Sequence, residues 1–190
     1  MQQALLIIDA QQELMDGNNE EQPVFKKTSL IENINFVIKQ ALTENALIIF
    51  VRDKDVANGQ GDGFQVHNEI QVPMDRAIFV DKTATNAFYD TALLQHLSEH
   101  KVGHLVIMGC KTEHCIDTAV RAATVQSFDV TLVADGHSTT DSKALSAEQI
   151  IAHHNETLHG HYNVDHFALV RNAHDQLFEP NHYQYRTSSS

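Results

Sequence analysis

Two cysteines stand in the segment Gly109-Cys110-Lys111-Thr112-Glu113-His114-Cys115. A thiol outside a disulfide framework is either an inert core group or a nucleophile. Cys115 falls in the first turn of a helix that the apolar spacing predicts from Glu113 to about Gln126. The unsatisfied N–H groups and the dipole of such a turn favour an anion, which would lower the thiol pKa. Asp9 directly follows the apolar run Ala4–Ile8 and could take the thiol proton as a general base. Lys82 follows another apolar run, Ala77–Val80, and could hold the carboxylate and thiolate charges together. The plainer reading makes Cys115 a small core residue, Asp9 a cap and Lys82 a solvated charge. Spacing alone leaves both readings open.

Elements must bring these three residues together. Ala4–Ile8, Ala46–Val51, Ala77–Val80, Leu105–Met108, Val130–Val133 and Phe167–Val170 are short, continuous apolar runs, as strands covered on both faces would be. Helical patterns alternate with them. Ser29-Leu30-Ile31-Glu32 reads as a capping box, followed by Ile31, Ile34, Val37, Ile38, Ala41 and Leu42 at helical spacing. Tyr89 to Glu99 carries Leu93, Leu94 and Leu97 on one stripe. Ser146-Ala147-Glu148-Gln149 opens a helix running to about His159. This alternation predicts an α/β fold, a three-layer α/β/α arrangement with a mostly parallel sheet of about six strands. All three prolines fall in loops. No composition shift divides the chain, so residues 1–180 read as one domain and 181–190 as a polar, frayed tail.

In an open parallel sheet, ligands bind at the carboxyl ends of the strands. Asp9, then Arg52, Asp53 and Asp55, then Asp81 and Lys82, then the Gly109–Cys115 segment, then Asp135 and His137 all fall just past apolar runs. Each candidate group therefore ends its own strand on one edge of the sheet.

The 190 residues are 42% hydrophobic and 20% charged, enough apolar material for a packed core. Thirteen Lys and Arg against 25 Asp and Glu give a net charge of -12, the wrong sign for nucleic acid or an anionic membrane. No apolar run approaches the roughly 20 residues that span a bilayer. Met1-Gln2-Gln3 lacks the basic start of a signal peptide, so the expected location is the cytoplasm.

The chain resembles the isochorismatase-like cysteine hydrolases, a superfamily that includes nicotinamidases and N-carbamoylsarcosine amidohydrolases. Three segments carry the resemblance: Ile7-Ile8-Asp9-Ala10-Gln11, Asp81-Lys82 with Asn86-Ala87-Phe88, and Gly109-Cys110-Lys111-Thr112-Glu113-His114-Cys115-Ile116. The resemblance implies a catalytic triad of Asp9, Lys82 and Cys115, and a thioester formed on Cys115 from a small amide or carbamoyl compound. It implies an oxyanion hole of backbone N–H groups at Lys111 and Cys115, with a cis peptide bond between Cys110 and Lys111. It implies no cofactor, a small-molecule substrate and a homo-oligomer.

Around these, Gln11 either orients Asp9 or caps the strand end. Thr112 either braces the turn or serves as an ordinary helix N-cap. Phe88 either lines an acyl pocket or belongs to the core, and Asp135 either supports the site or is a turn carboxylate before Gly136. Metal-binding nicotinamidases resemble one another in an Asp-x-His after the second strand. Here that place reads Asp53-Lys54-Asp55, with His67 the one histidine in the loop that follows. No metal is therefore expected. The histidines at 153, 154, 159, 161 and 166 match no ligand spacing, and the Gly59-x-Gly61-x-Gly63 loop suits a mobile lid better than a phosphate cradle. Rival readings are a thiol-dependent esterase, a metal-assisted amidase, and a catalytically idle binding module of the same fold.

Overall fold

A computed structural model of the chain describes residues 2–163, 165–180 and 182–187. In chain order the elements are β1 (Gln2–Ile8), α1 (Gln12–Asp16), α2 (Lys27–Thr43), β2 (Leu47–Asp53), a tight turn at Val56–Gly59, α3 (Gly61–Phe64), β3 (Ala77–Lys82), α4 (Leu93–Glu99) and β4 (Val102–Cys110). A π-helical turn at Thr112–Ile116 then leads into α5 (Asp117–Val125). The chain continues through β5 (Asp129–Ser138), α6 (Ala147–Leu158), β6 (Tyr162–Asn163), β7 (His166–Arg171) and α7 (His182–Thr187).

The seven strands pair in the order β3-β2-β1-β4-β5-β7-β6. Every pairing is parallel except β6 with β7. The six apolar runs are the six longer strands. The seventh, β6, is a two-residue antiparallel edge, too short to leave a periodic signal.

Alternation along the strands sends side chains to two cores. Leu5, Ile7, Ile48, Phe50, Val106 and Met108 pack against Leu30, Ile31, Ile34, Val37, Ile38 and Ala41 of α2. Ala4, Leu6, Ile8, Ile49, Leu105 and Ile107 pack on the other face against Leu93 and Leu97 of α4 and Ala119, Val120 and Ala123 of α5. The sheet is thus covered on both sides, giving the three-layer α/β/α architecture. Both faces of each central strand need apolar residues, which is why the runs are continuous.

The two expected capping boxes have different outcomes. Helix α2 begins two residues before Ser29, so Ser29 lies inside it, and the N-cap residue is Lys26, with φ 49° and no side-chain cap. The apolar stripe fixed the helix but not its first turn. The capping box at Ser146 does form: Ser146 Oγ accepts from the Gln149 backbone N–H, and the Gln149 side chain accepts from the Ser146 N–H. The expected frayed tail is partly ordered. Residues 182–187 form α7, where His182 is fully buried and Arg186 pairs with the buried Asp129. The rest of the tail, residue 181 and residues 188–190, lies outside the described residues.

The strand order creates a crevice. From β1 the chain winds outward to β2 and β3 on one side. It then returns across β1 to place β4 and β5 on the other side. Ligands of open α/β sheets bind at the carboxyl ends of the strands where the winding reverses, here between β1 and β4. The two strands come very close there. Gly109 has φ 127°, and a Cβ on it would lie 2.0 Å from the Ile8 carbonyl oxygen, so the position admits only glycine.

Candidate active site

Asp9 sits one residue beyond β1 in a left-handed conformation, φ 50°. Its backbone N–H is held by the Val51 carbonyl at 2.8 Å. That kink turns its carboxyl into the crevice while leaving it 1% exposed. Lys82 ends β3, directly opposite Asp53 at the end of β2. Its side chain is buried too, and its Nζ lies 3.0 Å from Asp9 Oδ2 and 3.5 Å from Cys115 Sγ, with Asp53 Oδ2 also bonded to it. One ammonium thus joins groups delivered from β1, β2, β3 and the turn after β4.

Cys115 stands in the π-helical turn Thr112–Ile116, not in the first turn of an α-helix. In this turn the Ile116 N–H reaches back to the Lys111 carbonyl at 3.3 Å. The peptide bond between Cys110 and Lys111 is cis. Cys115 is half-buried, whereas Cys110 is fully enclosed in the core.

The electrostatics differ from the expectation for an isolated helix terminus. Burial pushes the Cys115 thiol up to about 12, and the neighbouring Asp9 charge adds to the rise against the Lys82 ammonium. The thiol is therefore neutral at pH 7. Burial also raises Asp9, to about 6, with Lys82 opposing it. Burial alone would lower Lys82, but the Asp9 charge, together with hydrogen bonds to Asp53 and Asp9, outweighs it and holds the ammonium above its usual range. The resting site near neutral pH is a carboxylate, an ammonium and a thiol. A bare helix terminus has neither the desolvation nor the adjacent carboxylate found here, and together these two effects override any help from the dipole.

Gln11 does not reach towards Asp9. Its fully buried amide receives the Asp53 N–H at 2.8 Å and donates to the Asp53 and Phe64 carbonyls at 3.0 and 2.9 Å. It pins the segment after β2, including the glycine-containing turn, to the end of β1. Val56 and Asp55 of that segment form a cavity wall. Phe88 stacks on Phe128, with ring centroids 6.3 Å apart, and packs with the core that contains α5.

Thr112 is fully buried, and its hydroxyl lies 2.9 Å from His137 Nδ1. His137 Nε2 lies 2.9 Å from Asn155 Oδ1, and the Asn155 amide donates to the Ala134 carbonyl at 3.0 Å. With the Asn155 oxygen an acceptor, Nε2 carries the proton and Nδ1 accepts from Thr112. Burial lowers His137 to about 4, so the ring is neutral at pH 7. This chain ties the turn bearing Cys115 to β5 and α6. Thr112→Val is expected to leave His137 Nδ1 unpaired and to cost about 1–3 kcal/mol of stability, read from urea denaturation. An unchanged midpoint would show that the bond contributes nothing.

A cavity of about 530 Å³ opens over the site, with Asp9, Asp53, Lys111 and Cys115 in its lining. Among the described residues, one group has the geometry of a cation site: Cys115 Sγ and one carboxylate oxygen each of Asp9 and Asp53 lie within 4.8 Å of one another. The Lys82 ammonium is within bonding distance of all three residues and fills the cationic role there. His67 instead faces Asp16 at 3.1 Å. The later histidines have separate local partners: His154 meets the Ile150 carbonyl, His159 the Val170 N–H and His166 Asp129.

Asp135 accepts the Ala173 N–H at 2.7 Å, a structural contact on β5. Two contributors carry little signal in the sequence. Asp53 reads there as a strand-end carboxylate at the first position of an Asp-x-His place that lacks its histidine, and His137 only as a residue past the fifth apolar run. Their partners come from β3 and from the turn after β4, which no local spacing reveals.

The isochorismatase domain family matches residues 3–155. The chain belongs to that family. A crystal structure described as an isochorismatase family protein superposes with a TM-score of 0.78 at 30% identity, covering 88% of this chain and 96% of that one. The isochorismatase family protein YrdC of Bacillus subtilis (strain 168), itself uncharacterised, is 28% identical over 137 residues, 70% of this chain and 71% of its own length. Streptothricin hydrolase of Streptomyces noursei is 28% identical over 147 residues, 75% of this chain and 56% of its own length, so this chain spans little more than half of that relative. The matched family region holds Asp9, Lys82 and Cys115, and the chain is an isochorismatase-like hydrolase. Among the described residues no helix is long and apolar enough to cross a membrane.

Proposed function

We propose that this family member cleaves a carbon–nitrogen bond of a small amide or carbamoyl compound through a thioester on Cys115. The observation that carries this reading is the meeting of Cys115 with Asp9 and Lys82 at the cavity floor. Asp9 takes the thiol proton as Sγ attacks the carbonyl carbon. Lys82 holds the Asp9 carboxylate in place before the transfer and offsets the negative charge that develops on sulfur as its proton leaves. Backbone N–H groups at Lys111 and Cys115 receive the oxyanion. On collapse the C–N bond breaks, and Asp9 returns its proton to the departing nitrogen. Water, losing a proton to Asp9, attacks the thioester, the acid leaves, and the proton goes back to sulfur.

A thiol that is neutral at rest makes the general base indispensable. This arrangement supports acyl transfer with proton return to an amine. It needs no prior thiolate, because the proton moves as the bond forms.

The test is a screen of primary amides, ureas and carbamoyl compounds with released ammonia as the readout. Turnover confined to esters would replace this reading by a thiol esterase. Binding without turnover of any compound would replace it by an idle binding module. Loss of activity on chelation would favour a metal-assisted amidase.

The pH dependence follows from Asp9. The base must be ionised, and burial places its pKa at about 6. The value of kcat/KM is expected to rise with pH, about tenfold per unit well below 6, and to level off above it. A profile flat from pH 4.5 to 7.5 would remove Asp9 as the base.

A further inference from the structure

The cavity over Cys115 is strongly and unevenly charged. Asp9, Glu13, Glu21, Asp53 and Asp55 all line it. The ammoniums at hand are Lys82, engaged by Asp9 and Asp53, and Lys111, whose Nζ is 2.8 Å from Glu21. Five carboxylates face two ammoniums, an excess of three negative charges when all are ionised. Glu13 and Asp55 have no cation within 4.0 Å among the described residues. The side-chain donor bonded to Glu13 is the neutral amide of Asn18, at 3.4 Å. Glu13 is also given room: a Cβ on Gly63 would lie 2.9 Å from its Oε2. At the floor, Asp9 Oδ1 is buried and has no hydrogen-bond partner among the described residues.

We propose that the substrate is a cationic amide, one that carries an ammonium or guanidinium group close to the scissile carbonyl. This rests on the cysteine-hydrolase reading and names its substrate class. A recess walled by protein focuses the field of its charges, so a cation is drawn in and an anion repelled, on top of the chain's overall -12. Glu13 and Asp55 meet the cationic group. The unpaired Asp9 oxygen stands as an acceptor at the reacting end. A metal ion fits Glu13 and Asp55 poorly, because ligand atoms must converge on a metal. Among the described residues the converging set is Asp9, Asp53 and Cys115, which excludes both.

The charge preference can be read without knowing the substrate, from alkylation of Cys115. Iodoacetate, iodoacetamide and an iodoacetamide bearing an aminoethyl group supply an anionic, a neutral and a cationic reagent. Each rate is divided by that for N-acetylcysteine at the same pH and salt. The cationic reagent is expected to exceed the anionic one by about tenfold or more at low salt, with the ratio shrinking in ~0.5 M NaCl, where the Debye length is about 4 Å. The double variant Glu13→Gln, Asp55→Asn is expected to bring the ratio down to about threefold or less.

Equal normalised rates, or a ratio indifferent to the double variant, would overturn the inference while leaving Cys115 as the nucleophile. Because the resting thiol is neutral, low absolute rates are expected and only the ratio between reagents is read. Amide turnover retained in Cys115→Ala would overturn the nucleophile reading and this inference with it. With an active amide in hand, a charged compound and its neutral isostere should differ mainly in KM, and equal KM values would count against the proposal.

Discussion

Replacing Cys115 by serine is expected to lower kcat for amide hydrolysis by about 10³-fold or more, since removal of a nucleophile from a concerted set costs nearly the whole covalent path. The residual rate would come from binding and the oxyanion donors alone. A serine hydroxyl is close to isosteric, yet it is a far weaker acid than a thiol, and Asp9 with a pKa of about 6 is a poor base for it. The fold should be little affected. Cys115 is only half-buried, and the hydrogen bond that loses most is the one from Lys82 at 3.5 Å. The pair of measurements is kcat and the thermal midpoint on the same preparation. Retained turnover with an intact fold would end the nucleophile assignment. In the active enzyme, mass spectrometry of a quenched reaction should find the acyl group on Cys115 and none on the enclosed Cys110.

Lys82→Met is expected to be costly in a second way. The ammonium is buried and bonded to Asp9, Asp53 and Cys115. Without it, two carboxylates face one another in a site shielded from water. Breaking a buried ion pair from one side costs about 3–5 kcal/mol, because the remaining charge is left uncompensated. The loss should depend on pH in a definite direction. Burial already raises Asp9 to about 6 against the opposing ammonium, so in the variant Asp9 binds its proton more tightly in the folded chain than in the unfolded one. Stability is therefore recovered as pH falls through that raised value and lost as pH rises. Urea denaturation at pH 7.5 and pH 5 would show a gap from the parent chain that narrows in acid. Adding Asp53→Asn to Lys82→Met should restore part of the stability at pH 7.5 but no activity. A variant as stable as the parent at pH 7.5 would mean that the ammonium holds nothing together.

Much of the molecule could be read from local pattern. Continuous runs such as Leu5–Ile8 and Leu105–Met108 are covered on both faces, so their composition announces buried parallel strands. The stripe Ile31, Ile34, Val37, Ile38, Ala41 points to one face of α2, and that face is buried against the sheet. Short or irregular pieces were not legible. β6 has two residues, and the turn that carries Cys115 is π-helical, with a bond reaching five residues back, although its sequence looks like an ordinary helix start. The segment with Gly59, Gly61 and Gly63 reads as free to move, yet Gln11 holds its two ends from another element.

The order of residues settled which groups end strands, because apolar runs stop where polar side chains begin, and Asp9, Asp53 and Lys82 are such stops. It did not settle which cysteine is open to the site: Cys110 and Cys115 both follow the run Leu105–Met108, and only the fold encloses the first and leaves the second half-buried. Strand order was another matter. That β1 lies between β2 and β4, with β3 outside β2, depends on how the two cores fill, and this alone lets Lys82 span β2 to meet Asp9. The charge state of the site was likewise decided in three dimensions. Desolvation and the approach of a carboxylate raise the Cys115 thiol far above what a helix terminus would give it. Both effects sum over neighbours distant in the chain, and so no spacing along the sequence could report them.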